Sequence, residues 1–161
     1  MLAPKGRLAI VLPDSIPSNP GLLFIRQWIF KKFWVIASID LPVETFEPFT
    51  GTQTTILLLQ KKTVEEEELE RRTEQPIKYK IFMSIPEKVG HDRRGHKIYV
   101  TTDEGAEILV KQTETTSSRN AEGEITIITR ETEAPIVDDQ LPEVVRQFEL
   151  WWKDNNRIFS S

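Results

Sequence analysis

The sequence predicts an α/β fold, because short apolar runs that suit buried strands alternate with a segment of helical periodicity. The runs lie at residues 7–12, 34–39 and 54–60, and proline, glycine or aspartate bounds them. Between the first two runs, apolar side chains recur every three or four residues from 21 to 33. Runs without polar alternation are typical of strands covered on both faces of a sheet. We therefore expect the 7–12 run to be a central strand that is buried on both faces.

Composition limits the classes of protein to which the chain belongs. Its 161 residues include no cysteine, which excludes disulfides and thiolate metal sites and favours a cytoplasmic protein. No apolar run has the length of a membrane span, and residues 1–6 lack the layout of a signal peptide, so we expect no membrane partner. The net charge of −4 argues against a nucleic-acid binder that uses its whole surface, but residues 76–100 hold six basic and two acidic residues. That segment suits either a local contact with DNA phosphates or an ordinary solvated hairpin.

Changes in composition divide the chain into five segments. They are an α/β portion at 1–60, a charged linker at 61–76, a basic hairpin at 77–101, a polar, partly disordered segment at 102–137 and a C-terminal helix at 138–161. In the linker, read as an exposed helix, we expect ion pairs between Glu67 and Arg71 and between Glu68 and Arg72.

The later segments contain their own predicted elements. Alternating side chains predict a strand at 77–85, which turns at 90–95 and pairs with a second strand at 97–101. The polar segment holds a lone strand at 125–129, since its other residues are mostly Glu, Thr, Ser, Asn and Gly. The last helix covers 141–155 and carries a wide apolar stripe.

Four short blocks of the chain carry a family resemblance. They are Gly6-Arg7-Leu8-Ala9-Ile10-Val11-Leu12-Pro13-Asp14 with Ser18-Asn19-Pro20, then Leu41-Pro42, Glu44-Thr45-Phe46, Phe49-Thr50-Gly51 and Thr54, then Val89-Gly90-His91-Asp92-Arg93-Arg94-Gly95, and last Asp138-Asp139-Gln140-Leu141-Pro142-Glu143. In this order the blocks resemble the N6-adenine DNA methyltransferases, and most of all the modification subunits of type I restriction–modification systems. Together they extend over most of the chain outside its acidic middle.

The resemblance implies a fold and a reaction. That family is Rossmann-like and depends on S-adenosylmethionine, with a seven-stranded, mostly parallel sheet and helices on both faces. Residues 7–60 would supply the last three strands, followed by a β-hairpin extension and a C-terminal helix. The family extrudes an adenine from duplex DNA and methylates its exocyclic amine, and its members work with a DNA-specificity subunit.

The chain departs from the family pattern in what it lacks. The family's glycine-rich cofactor loop, its ribose-binding acid and its catalytic Asp/Asn-Pro-Pro-aromatic loop precede these strands, and the sequence contains none of them. The stretch Ser18-Asn19-Pro20-Gly21 lacks the second proline and the aromatic residue, and it follows a different strand. We therefore expect the C-terminal part of a methyltransferase, with no catalytic residue and no cofactor of its own, inactive without the upstream half.

A loop of roughly a dozen residues, 41–53, is longer than most connections and is a candidate for function. In the resembling family an aromatic residue of this loop stacks on the extruded base, which assigns Phe49, or else Phe46, to the target-base pocket. The alternative is that both phenylalanines anchor the loop on the sheet edge. We expect Gly51 and Thr54 to shape the loop.

Two further groups complete the predicted site. Pro13 and Asp14 follow a strand at its carboxyl end, where ligands bind in open α/β sheets, and the resemblance places them near the target base. They suit a simple strand-ending turn equally well. Arg93, Arg94 and Lys97 would contact DNA phosphates from the tip of the basic hairpin, or would only keep that tip soluble. We expect no metal site, because the two histidines have no other ligand at useful spacing.

Three hypotheses about function remain from the sequence. The first is the C-terminal part of a site-specific adenine-N6 DNA methyltransferase of a restriction–modification system. The second is a non-catalytic DNA- or subunit-binding remnant that associates with an intact modification enzyme. The third is a gene fragment that folds poorly, because three strands without their neighbours leave an apolar surface uncovered.

Overall fold

The structure is a computed structural model that describes residues 2–119 and 124–160. It is mixed α/β, with a four-stranded sheet, a separate two-stranded sheet and a long C-terminal helix. The strands are β1 (Arg7–Pro13), β2 (Phe33–Leu41), β3 (Thr54–Lys61), β4 (Phe82–Ser84), β5 (Leu109–Arg119) and β6 (Ile125–Pro135). The α-helices are α1 (Ser15–Ser18), α2 (Leu23–Lys32), α3 (Val64–Thr73), α4 (Leu141–Asn155) and α5 (Arg157–Ser160).

The larger sheet has the strand order β1-β3-β2-β4. Strand β3 is antiparallel to both β1 and β2, so these two run in the same direction, and β4 is parallel to β2. The carboxyl ends of β1, β2 and β4 therefore lie at one edge of the sheet, which we call the carboxyl edge. Pro13 and Leu41 both face Thr54 in the strand register, so the loop between β2 and β3 begins and ends at this edge.

The prediction that residues 7–12 form a central strand buried on both faces is wrong. It pairs only with β3, and five of its seven residues are exposed, including Leu8 and Val11. Among the described residues no strand lies along its other edge. The apolar run correctly predicts a strand, but apolarity alone does not say whether the covering neighbours belong to the same chain.

Helices cover both faces of the larger sheet. On one face, Ile29 of α2 packs with Val35, Leu57 and Leu59. The opposite face carries an aromatic cluster, in which the almost fully buried Trp34 packs with side chains of α4 and α5. The predicted helix at 141–155 is confirmed as α4, because its apolar stripe meets this face of the sheet.

The charged linker is mainly helix α3. A capping box fixes its start, since Thr63 Oγ1 accepts a hydrogen bond from Glu66 N at 3.2 Å while the Glu66 carboxylate accepts one from Thr63 N at 2.8 Å. The predicted ion pair between Glu68 and Arg72 is confirmed at 2.9 Å. Glu67 instead pairs with Lys32 of α2 at 2.6 Å, which ties α3 to the preceding helix.

The predicted hairpin at 77–101 is replaced by a different arrangement. Only β4 forms in the first half, and it pairs with β2 rather than with 97–101. Phe82 is buried there against aromatic side chains of α4, which favours a place in the sheet over a free hairpin. The turn at 90–95 is present, closed by a single bridge between His91 and Lys97.

The polar segment at 102–137 also differs from its prediction of partial disorder with one lone strand. Strands β5 and β6 pair along 11 residues each, from Leu109 opposite Pro135 to Arg119 opposite Ile125. Residues 120–123, at the centre of the predicted disorder, lie outside the described residues. The β-branched residues of the two strands, mainly Thr in β5 and Thr and Ile in β6, suit paired β structure, although the surrounding Glu and Ser obscure this signal in the sequence. Along residues 2–119 and 124–160, no helix is both long and apolar enough to cross a bilayer.

Candidate nucleic-acid interface

The loop between β2 and β3, residues 42–53, is held in a compact form by its own backbone. It begins with a 3₁₀ turn at Val43–Phe46, and Thr45 donates to Pro42 O from both its backbone N–H, at 3.1 Å, and its hydroxyl, at 2.7 Å. The carbonyl oxygen of Phe46 then accepts from the backbone N–H groups of Phe49 and Thr50, each at 3.0 Å. These bonds define the position of Phe49 relative to the carboxyl edge.

The two loop phenylalanines differ in exposure. Phe46 is 38% exposed, whereas Phe49 is 94% exposed at the tip of the loop. Phe49 therefore does not anchor the loop on the sheet edge, which was the alternative to a base-stacking role. An aromatic face held in water by an ordered loop is free to stack on another ring.

Gly51 and Thr54 contribute to the loop in different ways. A Cβ atom added to Gly51 would meet the Glu47 carboxylate at 3.5 Å, an ordinary contact, so the path of the loop does not depend on glycine there. Thr54 ends the loop by pairing with both neighbouring strands, and its side chain is buried. Its hydroxyl has no hydrogen-bond partner among the described residues.

Pro13 and Asp14 lie at the carboxyl edge beside the end of this loop. The Asp14 N–H donates to Gln53 O at 2.9 Å, and the Asp14 carboxylate accepts from Ser18 Oγ at 3.1 Å. Asp14 thus lies in the turn between β1 and α1, and its backbone N–H also binds the loop that carries Phe49.

A polar group that the sequence did not single out stabilises the same end of the loop. The Asp40 carboxylate, near the end of β2, accepts from Gln53 Nε2 at 3.2 Å and from Thr55 Oγ1 at 3.3 Å. These contacts connect β2, the loop and β3 at the carboxyl edge. No spacing in the sequence marks them, because Asp40 lies within an otherwise ordinary strand.

Residues 91–97 form a tight turn organised by Asp92. One oxygen of its carboxylate accepts from the backbone N–H groups of Arg94, at 2.8 Å, and His96, at 2.9 Å, as in an Asx turn. The backbone N–H of His96 is the main cause that lowers the pKa of Asp92, and the Arg94 N–H and the His96 ring add to it. The turn ends in Gly95, whose φ of +83° favours glycine.

The three basic residues of this turn are not equivalent. The Arg93 guanidinium lies 3.5 Å from the Glu44 carboxylate and 3.8 Å from that of Glu47, so it faces the loop. Arg94 and Lys97 are exposed, and neither has an ion-pair partner among the described residues. Of the three, only Arg94 and Lys97 therefore carry positive charge that no carboxylate among the described residues offsets.

The loop at 42–53 and the turn at 91–97 form one surface, which we call the loop–turn unit. The turn approaches the loop at Gly95, where an added Cβ would lie 3.8 Å from the ring of Pro48. A cleft of about 340 Å³ runs between them, lined by residues that include Glu44, His91 and Arg93. Residues 54–90 separate the two parts in the sequence, and the structure brings the loop that carries Phe49 into contact with the turn through Arg93 and Gly95.

The histidines of the turn have local partners. His91 Nδ1 lies 3.0 Å from Asp92 O, and His96 Nδ1 lies 3.2 Å from the Asp92 carboxylate. Over residues 2–119 and 124–160, no group of three or more His, Asp or Glu side chains is placed to hold a metal ion.

Comparison with known proteins finds no family model and no curated sequence that matches the chain. The resemblance to N6-adenine DNA methyltransferases therefore depends on the four blocks of residues themselves and on where these residues lie in the structure.

Proposed function

We propose that the chain is the C-terminal part of a site-specific N6-adenine DNA methyltransferase of a restriction–modification system, in which the loop–turn unit faces DNA. The observation that carries this proposal is that Phe49, 94% exposed, follows Pro48, whose ring approaches the turn at Gly95, between the unpaired Arg94 and Lys97. An exposed aromatic face stabilises an extruded base by roughly 1–3 kcal/mol, and neighbouring cations bind the phosphates. Phe49 would stack on the adenine, while Arg94 and Lys97 would position the backbone.

The free edge of β1 supports the second part of the proposal, that an upstream half completes a Rossmann-like sheet. Strands β1, β2 and β4 run in one direction, with β3 antiparallel between β1 and β2, and β1 is apolar although it lies at the edge. A further strand paired with β1 would cover Leu8 and Val11 and satisfy the outward backbone groups. The assembled enzyme would work in the cytoplasm with a DNA-specificity subunit.

The residues present do not fit S-adenosylmethionine. Strand β1 leads through Asp14 directly into the four-residue helix α1, with no glycine-rich turn at the carboxyl edge where a backbone cradle would be needed. The upstream half would have to supply the cofactor site and the catalytic loop, so no step of methyl transfer is assigned to this chain. Its share of the reaction is to hold the extruded base and the DNA backbone.

The decisive experiment compares the chain alone with the chain co-expressed with the polypeptide encoded immediately upstream of it. We expect the co-expressed pair to bind S-adenosylmethionine and to transfer labelled methyl groups to adenine in unmethylated genomic DNA, whereas neither part does so alone. Sequencing of the methylated DNA would then give the recognised site. If the pair transfers no methyl group but the chain copurifies with an intact modification enzyme, the chain is a non-catalytic binding subunit and the catalytic proposal fails.

The role of Phe49 has its own test in the active pair. Replacing Phe49→Trp retains a stacking face, whereas Phe49→Leu keeps apolar bulk without one. We expect methyl transfer to persist with tryptophan and to fall by at least tenfold with leucine, since about 1.4 kcal/mol of lost stacking corresponds to a factor of ten. Equal activity of the two variants would show that Phe49 does not stack on the base.

A further inference from the structure

We infer that Arg93 is a positioning residue, which holds the loop that carries Phe49 in one conformation and does not itself contact DNA. The inference deepens the proposed function and rests on it for the identity of the ligand. The contacts of Arg93 with the loop, however, are properties of this chain alone and are tested without DNA.

The position of Arg93 explains why two carboxylates of the loop converge. Glu44 and Glu47 lie on either side of the Phe46 turn, and their side chains are only 29% and 17% exposed. One oxygen of Glu47 is buried without a hydrogen-bond partner among the described residues, and Arg93 is the cation that lies 3.8 Å from it. Arg93 therefore links the loop to the turn through both carboxylates, and removal of either the guanidinium or the two carboxylate charges breaks that link.

Its partners, and not its burial, distinguish Arg93 from Arg94 and Lys97, because the Arg93 side chain is itself 73% exposed. Its Nε lies 3.5 Å from the Glu44 carboxylate and 3.8 Å from that of Glu47, whereas the exposed Arg94 and Lys97 have no ion-pair partner among the described residues. A guanidinium between two carboxylates gives no net positive charge for a phosphate to recognise. Arg93 therefore acts through the loop, and Arg94 acts on the DNA.

A change that neutralises the two loop carboxylates distinguishes positioning from direct contact. In Glu44→Gln/Glu47→Gln, Arg93 loses its partners and becomes free. If Arg93 positions the loop, the loop loosens and base stacking weakens although the site is now more positive. If Arg93 contacts DNA, the same change strengthens DNA binding and leaves stacking intact. Glu87→Gln, which neutralises an exposed carboxylate beside the same cleft, is the matched control.

The first measurement is amide hydrogen exchange of Phe49 and Thr50 in the chain alone, because both N–H groups donate to Phe46 O. We expect exchange to accelerate roughly two- to fivefold in Glu44→Gln/Glu47→Gln and in Arg93→Ala, and to be unchanged in Glu87→Gln and Arg94→Ala. Unchanged exchange at Phe49 and Thr50 would overturn the inference, whatever happens with DNA.

The second measurement uses 2-aminopurine at the target adenine of a duplex carrying the recognised site, with the active pair. We expect the double glutamine variant to lower the fluorescence of the extruded base while its duplex affinity is equal or higher, and Arg94→Ala to lower the affinity and its salt dependence. An unchanged extrusion signal in the double variant contradicts positioning. If the unmodified pair extrudes no base, the proposed function fails, while the exchange experiment still decides whether Arg93 holds the loop.

Discussion

Lys62 shows how one side chain ties three elements together. It is 3% exposed, and its Nζ lies 2.6 Å from the Glu70 carboxylate of α3 and 2.8 Å from Phe30 O at the end of α2. The same ammonium lies 4.4 Å from the centre of the Trp34 ring, a cation–π contact with the first buried residue of β2. A buried charge of this kind is tolerated because each of its contacts compensates for lost water.

We expect Lys62→Met to lower the free energy of unfolding by about 3 kcal/mol, because it leaves Glu70 near the core without its partner. The measurement is the urea midpoint of unfolding. Lys31→Met, at an exposed position of α2, should change stability by less than about 0.5 kcal/mol. Lys62→Met/Glu70→Gln should recover part of the loss. A Lys62→Met variant as stable as the parent would show that the pair does not stabilise the fold.

At the scale of residues, long-range contacts such as those of Lys62 could not be predicted from the sequence. The sequence does not decide whether Phe49 faces solvent or anchors the loop, whereas the basic character of the turn follows from its composition. The contacts of Arg93 with Glu44 and Glu47 do not, since they join residues more than 40 positions apart. From the sequence alone, Arg93 next to Arg94 indicates only a charged turn, because the sequence does not show which carboxylates lie near it in space.

At the scale of elements, prediction succeeded where one periodicity decided the structure. Helix α4 and strands β2 and β3 match their predicted ranges within two residues, because each buries a continuous apolar stripe or run. It failed at 77–101, where only Phe82–Ser84 forms a strand and Phe82, rather than Met83, is buried against α4. The strand predicted at 125–129 is present as the first part of β6, but its partner β5, an exposed and mostly polar strand without an apolar period, was missed.

Helix α3 gives a prediction that depends on pH. Hydrogen bonds from Arg71 first, and then from Arg72, lower the pKa of Glu68 from 4.5 to about 2. Because the pKa of the folded state is depressed, the stabilisation is present above pH 4.5 and is lost as the pH falls through about 2. We expect the Glu68 carboxyl resonance to titrate in that low range by NMR.

The two arginines provide the control for this titration. Arg71 donates two hydrogen bonds to the carboxylate, at 2.8 and 2.7 Å, and Arg72 donates one, at 2.9 Å. Arg71→Ala should therefore raise the pKa of Glu68 more than Arg72→Ala does. An ordinary pKa of Glu68 in the parent protein, or equal shifts in the two variants, would contradict the ion-pair geometry of α3.

At the scale of the whole molecule, the free edge of β1 is accompanied by exposed apolar side chains. Leu8 and Val11 are exposed on the strand itself, and Phe24 and Trp28 are exposed on α2, which packs beside it. Single exposed apolar residues are ordinary, but a free strand edge together with exposed aromatics favours association. The proposed upstream half would cover this surface, and without it the chain should associate with itself.

This last expectation is tested by placing a charge on the edge strand. We expect Val11→Lys to reduce self-association of the isolated chain and to prevent its assembly with the upstream polypeptide, because a lysine disfavours both the pairing of an edge strand and the burial of its side chain. Val145→Lys, a matched change at a comparably exposed valine of α4, should affect neither. Sedimentation velocity measures self-association, and copurification measures assembly. If Val11→Lys assembles as the parent does, the edge of β1 is not the surface that joins the two halves.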